Sequence, residues 1–544
     1  MAKQPAKLSA ADQAVIGNAL IAAAGEMGAK LIRSAHSPIV REASDCATAV
    51  LNGAGEVVSQ AELIPLQLGS ISHTFGPCAA IKSPTEIAED EFYITNHPFH
   101  GGQHVPDVFI YTPVFFNGEL VAFTASVAHH IDLGGGAPGL NPDATDVHQE
   151  GILFPPSCYS HTRDWNGGMF ERLVRANVRM PDATIGDFNA QFAANAIGAA
   201  RVRELCERFG VAIVKQAMAG LQDYSERRMR AALDAVPDGI YEGEDWLDDD
   251  GAGSGPVTVK ARVTIDGSSI AIDFEGTGDQ VKTNLNCPFA STVGAAAACI
   301  KSVLTSPDIP YNGGCDRVIE VRAPYGSILN PRPPAPVRAR LIPSYRAFNA
   351  VMKALAKAVP ERVIAGGFDT TMSVCLSHLN EGRYNIYLEI FGGGYGAGKG
   401  SDGCDGVDSP LSNCSNIPIE AMDMAYDFFR VVDYSLRPGS GGAGEYRGGL
   451  GFQRIYEVLC DDVTFATYGD RFALQPQGLF GGEPGMVAEA LVIRGEERIA
   501  LRSKQSFKLR KGDRLVMRTG GGAGYGAPAD RDSTRVHIDL EDGR

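Results

Sequence analysis

The sequence predicts a mixed α+β fold, with a helix-rich N-terminal region followed by β-rich middle and C-terminal regions. Three observations carry that prediction. Helical spacing dominates two stretches before residue 235; period-two alternation across short turns dominates after it; and the chain's 64 glycines cluster most densely in the last third of its 544 residues. A chain this long exceeds what one hydrophobic core usually organises. It divides by pattern into 1–235, an α+β segment with metal-ligand chemistry, 236–382, a middle α/β segment, and 383–544, a β-rich glycine-loop segment.

Ser9 opens the first element, because Ser-x-x-Asp offers acceptors to the free amides of a helix from about residue 10 to 32. "DCATAVLNGAGEVVSQAELIPLQ" follows as strand, glycine turn, strand. "DVFIYTPVFFNGELVAFTASVAHH" is a hairpin, with Asn117-Gly118 in the two-residue turn that matches strand twist. Helical spacing then runs from about residue 185 to 235. "PVTVKARVTIDGSSIAIDFEGT" alternates across Asp266-Gly267, and helical segments near 290–305 and 345–359 flank the Pro-rich "APYGSILNPRPPAPVRAR". Strands separated by glycine runs fill the remainder.

Composition narrows the function. A formal net charge of −16 and a pI near 5.2 oppose binding to nucleic acid or anionic membranes. No run approaches the roughly 18 consecutive apolar residues of a membrane span, and the N-terminus reads as a polar lead-in to a helix, not a secretory signal. The 11 cysteines are odd in number and scattered, with no Cys-x-x-Cys pair, so a reduced, cytoplasmic compartment is expected. Cys46 reads as a small buried residue.

Chemistry concentrates in "NHPFHGGQHVPDVFIYTPVFFNGELVAFTASVAHHIDLGGG", which holds five of the chain's 11 histidines. His104 and Asp107 lie three apart in a curved loop entering a strand, within reach of one ion. The returning hairpin strand delivers His129 and His130 to the same end, and alternation of side chains directs one of the two inward. Asp45, at the start of another β segment, completes a set. Two imidazoles with two carboxylates suit Zn²⁺, Mn²⁺ or Fe²⁺. Read singly, each of these histidines is an ordinary hydrogen-bonded loop residue. "GGYGAGKG" resembles a phosphate loop at Gly393, Gly398 and Lys399, but Gly400 stands where Ser or Thr is needed and no helix follows. It reads as a structural or active-site glycine loop. No Gly-x-Ser-x-Gly elbow sits between a strand and a helix.

At "GNALIAAAGEMGAKLIRSAHSPIVREASDCA", "AELIPLQLGS", "NHPFHGGQHVPDV", "AHHIDLGG", "HQEGILFPP", "NCPFASTVGA", "LNPRPPAPV", "RPGSGGAGEYRGGLG" and "TGGGAGYGAP" the sequence resembles the hydantoinase B/oxoprolinase family along nearly its whole length. That family includes B-type subunits of ATP-dependent hydantoinases and lactamases and the related acetone and acetophenone carboxylase subunits. The resemblance implies one divalent metal, zinc before manganese or iron, held by Asp45, His104, Asp107 and His129, which selects His129 over His130. It also implies ATP bound by a partner A-type subunit in a hetero-oligomer such as (AB)2. The partner would phosphorylate the carbonyl of a cyclic amide, and metal-activated water in this chain would complete ring opening. His130, Asp132, His148 and Glu150 are the candidates for proton transfer. The alternatives are a ketone carboxylase subunit, in which a phosphorylated enolate captures CO₂, and a non-catalytic scaffold whose ion fixes a loop. His97 stands where relatives often carry Asp.

Overall fold

A computed structural model describes residues 8–544. The helix Ala10–Ser34 starts where Ser9 Oγ accepts the Asp12 amide. By length and composition it would pass for a membrane span. Its apolar stripe of Ile16, Leu20, Ala23, Met27 and Leu31 is instead buried, with the helix Pro181–Phe209 and strand Cys46–Asn52 packed against it.

Six antiparallel strands form the N-terminal sheet: β1 (Cys46–Asn52), β2 (Val57–Gln60), β3 (Glu91–Thr95), β4 (Asp107–Phe116), β5 (Glu119–His129) and β6 (Ser157–Ser160), in the order β2-β1-β5-β4-β3-β6. The expected turn joins β4 to β5, with Asn117 and Gly118 both at positive φ, 52° and 79°. The sheet lies between two helical layers. The long helix Pro181–Phe209 covers β4 and β5 on one face. On the other face the helix Pro65–Ile81 buries Leu68, Ile71 and Phe75 in a cluster with Tyr93, Tyr111 and Phe123. That second helix is not expected from the sequence pattern. Its N-cap, Ile64, makes no side-chain capping bond, and Pro77 interrupts its interior; both hide it.

The middle sheet contains β7 (Gly239–Leu247), β8 (Val257–Asp266), β9 (Ser269–Asp273) and β10 (Ile319–Arg322), with β10 parallel to β9. The helix Leu341–Leu355 packs on β7 and β8 and against the helix Phe289–Leu304. Buried Asp245 ties this layer to the next, receiving Arg346 at 3.0 Å and Arg471 at 2.8 Å. The third region has a four-stranded sheet, in the order Arg383–Phe391, Met372–Asn380, Val463–Tyr468, Lys504–Leu509, and a five-stranded sheet. The first two of those strands form one hairpin, so the segment break placed after residue 382 falls in its turn.

Glycines in the C-terminal region stack extended backbones on one another. Gly394 N donates to Gly520 O at 2.9 Å, Gly449 N to Tyr395 O at 2.9 Å, and Gly442 N to Gly522 O at 2.8 Å. A Cβ on Gly394 would overlap the Gly449 carbonyl oxygen, and one on Gly448 the Gly522 carbonyl oxygen. Only residues without side chains allow backbones this close. The loop at 393–400 is therefore part of a packed glycine core. Lys399 lies at the surface, 3.5 Å from Glu445. None of the 11 cysteines is in a disulfide.

Candidate metal centre

The strand ladder builds the site. Asp107 opens β4 and pairs in register with His129, the last residue of β5, while Cys46 at the start of β1 pairs with Ala128. Asp45 thus lies beside His129, whose amide donates to the Asp45 carbonyl at 3.1 Å. Three neighbouring strands end together, and each end carries one candidate ligand, Asp45 just before β1. His104 arrives from the loop before β4, where the Asp107 amide donates to its carbonyl at 3.1 Å and curls the chain back.

The side chains of His104, Asp107 and His129 bring ligand atoms within 4.8 Å of one another, all buried. His104 Nδ1 is 3.0 Å from Asp107 Oδ2, and His129 Nδ1 is 3.6 Å from Asp107 Oδ1 and 3.5 Å from Asp45 Oδ2. Yet His104 Nδ1 satisfies no hydrogen-bond geometry, and His129 Nε2 has no partner among the described residues. Buried polar atoms are normally paired. An orphaned His104 Nδ1 facing Asp107, and His129 Nδ1 facing Asp45 and Asp107, fit a shared divalent cation, and the N₂O₂ donor set suits the borderline metals named above.

Electrostatics prepare the donors. Burial, and then the charge on Arg340, hold His104 far below its ordinary value, and burial pushes His129 down to about 4. Both imidazoles are neutral at physiological pH and offer lone pairs. Asp107 stays ionised, held well below the usual carboxylate range because His104 and Arg340 outweigh its burial. Without a cation, burial and the neighbouring Asp107 charge push Asp45 up to about 8. Such a set gains a full negative charge by binding a metal.

Residues without a role in the sequence pattern orient these ligands. Gln67, from the helix Pro65–Ile81, donates to Asp45 Oδ1 at 2.7 Å and to Asp107 Oδ1 at 3.3 Å. Arg340 donates to Asp107 Oδ2 at 2.7 Å and to Gln103 Oε1 at 2.9 Å. Gln67 stands inside the family marker "AELIPLQLGS" and Arg340 at the end of the Pro-rich crossing, but chain separations of 40 and 233 residues from Asp107 gave no positional signal.

The proton-transfer candidates separate. His130 turns to the opposite face of the sheet, where its ring lies 4.3 Å from Phe188 and its Nε2 is 3.0 Å from Gln191 Oε1. Asp132 accepts the amides of Gly134, Arg179 and Met180 and so locks a loop. His148 is exposed, its amide capped by Asp146. Among the described residues no side-chain hydrogen bond joins any of these three to Asp45, His104, Asp107 or His129. Glu150 differs. It is buried, its Oε1 accepts the amides of Val337 at 2.9 Å and Arg338 at 2.8 Å, and its Oε2 has no partner among the described residues. Burial raises its carboxyl to about 7.

The fold is α+β, and its N-terminal sheet buries a cluster of His104, Asp107 and His129 that could hold a metal ion, with Asp45 beside it. The chain belongs to the Hydantoinase B/oxoprolinase family, whose profile matches residues 10–528. A protein of Pseudomonas sp. (strain NS671), described as the putative B-type component of a D-/L-hydantoinase, is 34% identical over 98% of this chain and 92% of that protein. Among solved structures, ATP-dependent caprolactamase from Pseudomonas jessenii superposes with a TM-score of 0.91 at 29% identity, covering 99% of this chain and 94% of that one. Nucleotide-free acetone carboxylase superposes with a TM-score of 0.86 at 19% identity, over 97% and 78%. The acetone carboxylase match speaks for the fold alone.

Proposed function

We propose that this chain is the metal-binding B-type subunit of an ATP-dependent cyclic amide hydrolase, working with an A-type subunit that activates the substrate. The observation that carries the reading is the convergence of Asp45, His104, Asp107 and His129 in a chain similar to a hydantoinase component and a caprolactamase.

An amide resists water because its carbonyl is resonance-stabilised and its nitrogen leaves poorly. Transfer of the ATP γ-phosphoryl group to the carbonyl oxygen in the partner removes the first obstacle; water then adds to that carbon, the C–N bond breaks as the nitrogen takes a proton, and the acyl phosphate left behind gives up inorganic phosphate to a second water. Asp45, His104, Asp107 and His129 would hold a divalent ion, which when bound would supply Lewis acidity and make water more acidic. The protein supplies the rest. Gln67 and Arg340 fix the two carboxylates, and the neutral imidazoles complete the donor set. Glu150, with its carboxyl near 7, holds a proton that the departing ring nitrogen requires; a positioned acid contributes about 10²–10⁴-fold. Val105, Val147 and Val337 pack together between the Glu150 loop and the segment carrying His104.

The test is co-expression with the A-type subunit and measurement of ATP consumption against cyclic amides and ketones, with and without bicarbonate. Cyclic-amide turnover that disappears in a His104→Ala/Asp107→Ala variant is expected. Bicarbonate-dependent ketone turnover without cyclic-amide turnover would overturn the hydrolase reading, and full activity of the double variant would favour a scaffold ion.

A further inference from the structure

Five arginines are buried among the described residues: Arg338, Arg340, Arg346, Arg454 and Arg471. Four of them meet a carboxylate at 2.5–3.0 Å: Arg340 meets Asp107, Arg346 and Arg471 meet Asp245, and Arg454 meets Glu389. Arg338 forms no ion pair among the described residues. Its Nη2 donates to the Gly139 carbonyl at 2.6 Å, and its buried Nε donates to nothing there. A buried guanidinium with no carboxylate in contact is costly, so its persistence asks for an anion.

Its surroundings say where that anion sits. The Arg338 amide is held by Glu150 Oε1. Val337 packs with Val105, next to His104, and with Val147, a turn before Glu150. A Cβ on Gly151 would press on Val105, so the Glu150 loop is seated directly on the segment carrying His104. Two residues further on, Arg340 contacts Asp107. The Arg338 charge acts on both His129 and Glu150. Three unpartnered buried atoms, Arg338 Nε, Glu150 Oε2 and His129 Nε2, therefore belong to one region.

We propose that Arg338 is a substrate-binding residue that captures the phosphoryl oxyanion of the activated substrate beside the metal centre. This rests on the cyclic amide reading for the source of the phosphoryl group, but not for the existence of the anion site. A guanidinium with Nη2 anchored keeps Nε for a directional, charge-assisted bond to such an oxygen, which an ammonium matches poorly. The Arg340 guanidinium is already committed to Asp107 and Gln103.

The experiment titrates inorganic phosphate into the full chain by calorimetry and ³¹P NMR, both metal-supplied and chelator-treated. Wild type is compared with Arg338→Gln, Arg338→Lys and the surface control Arg322→Gln, with melting curves to verify folding. Millimolar-range binding by wild type and Arg322→Gln is expected, weakened about 10- to 100-fold in Arg338→Gln, the range of a charged hydrogen bond. Arg338→Lys, which retains the buried charge, should bind with intermediate strength, and it carries the test if the glutamine variant fails to fold. Acetate should displace phosphate poorly; equal competition would mark a carboxylate site and overturn the phosphoryl assignment. Wild-type affinity in the Arg338 variants, or no phosphate binding by wild type, would also overturn it. Activity is not read here, so Arg338-dependent phosphate capture by a chain inactive on cyclic amides keeps the anion site and discards the hydrolase reading.

Discussion

Glu150→Gln isolates one buried ionisation, because glutamine keeps Oε1 as acceptor for the Val337 and Arg338 amides while removing the acid. The Glu150 carboxyl is raised by burial from 4.5 to about 7. A group whose folded pKa is raised holds its proton more tightly in the folded chain. Its stabilising contribution is therefore complete below the unfolded value near 4.5 and is lost as pH rises through the folded value near 7. At 1.36 kcal/mol per pH unit the gap amounts to about 3 kcal/mol. Urea denaturation of both proteins at pH 4.5 and pH 8.5 reads the difference. Wild type should lose about 3 kcal/mol relative to the glutamine variant across that interval. Cyclic-amide turnover by the complex should fall about 10²–10⁴-fold in the variant at pH 7. A stability difference independent of pH would show that Glu150 does not titrate in this window, and the proton-donor role would fall with it.

Three further outcomes follow from the same geometry. Gln67→Ala removes the donor shared by Asp45 and Asp107, and metal affinity measured by competition with a chelating dye should drop about 10- to 100-fold; unchanged affinity would deny Gln67 an orienting role. Arg340→Met leaves the buried Asp107 charge without its 2.7 Å partner, and should cost the metal-free chain about 3–5 kcal/mol in urea denaturation. Gly394→Ala should prevent soluble folding, because its Cβ would overlap backbone, whereas Gly25→Ala, with nothing within 4 Å, should be neutral or stabilise by up to about 1 kcal/mol. Equal stability of the two alanine variants would remove the packed-glycine explanation.

How much of this was legible in the sequence varies with the distance over which the physics acts. The β4–β5 hairpin was readable because Asn117-Gly118 is a local signal, and the helix Ala10–Ser34 because Ser9 marks its start. The cluster of His104, Asp107 and His129 was readable in part: His104 and Asp107 share a loop, and the hairpin returns His129 to it. Choosing between His129 and His130 from residue chemistry alone was not possible, since adjacent strand residues differ only in which face they take. The family resemblance chose His129, and the structure brings it to His104 and Asp107 while His130 packs under the helix Pro181–Phe209. Arg338 and Arg340 lay beyond reach, because only the tertiary fold brings a segment more than two hundred residues away over the strand ends. The helix Pro65–Ile81 was missed for the opposite reason: it is apolar on most sides and starts without a side-chain cap.

The central claim is that Asp45, His104, Asp107 and His129 hold one catalytic cation. Anomalous diffraction from crystals of the purified chain, collected across the absorption edge of the metal found by elemental analysis, tests it most directly. A single strong peak about 2.0–2.2 Å from His104, His129 and the two aspartates is the expected result. A peak elsewhere in the chain, or no stoichiometric metal in a preparation that turns over with its partner at full rate, would contradict it.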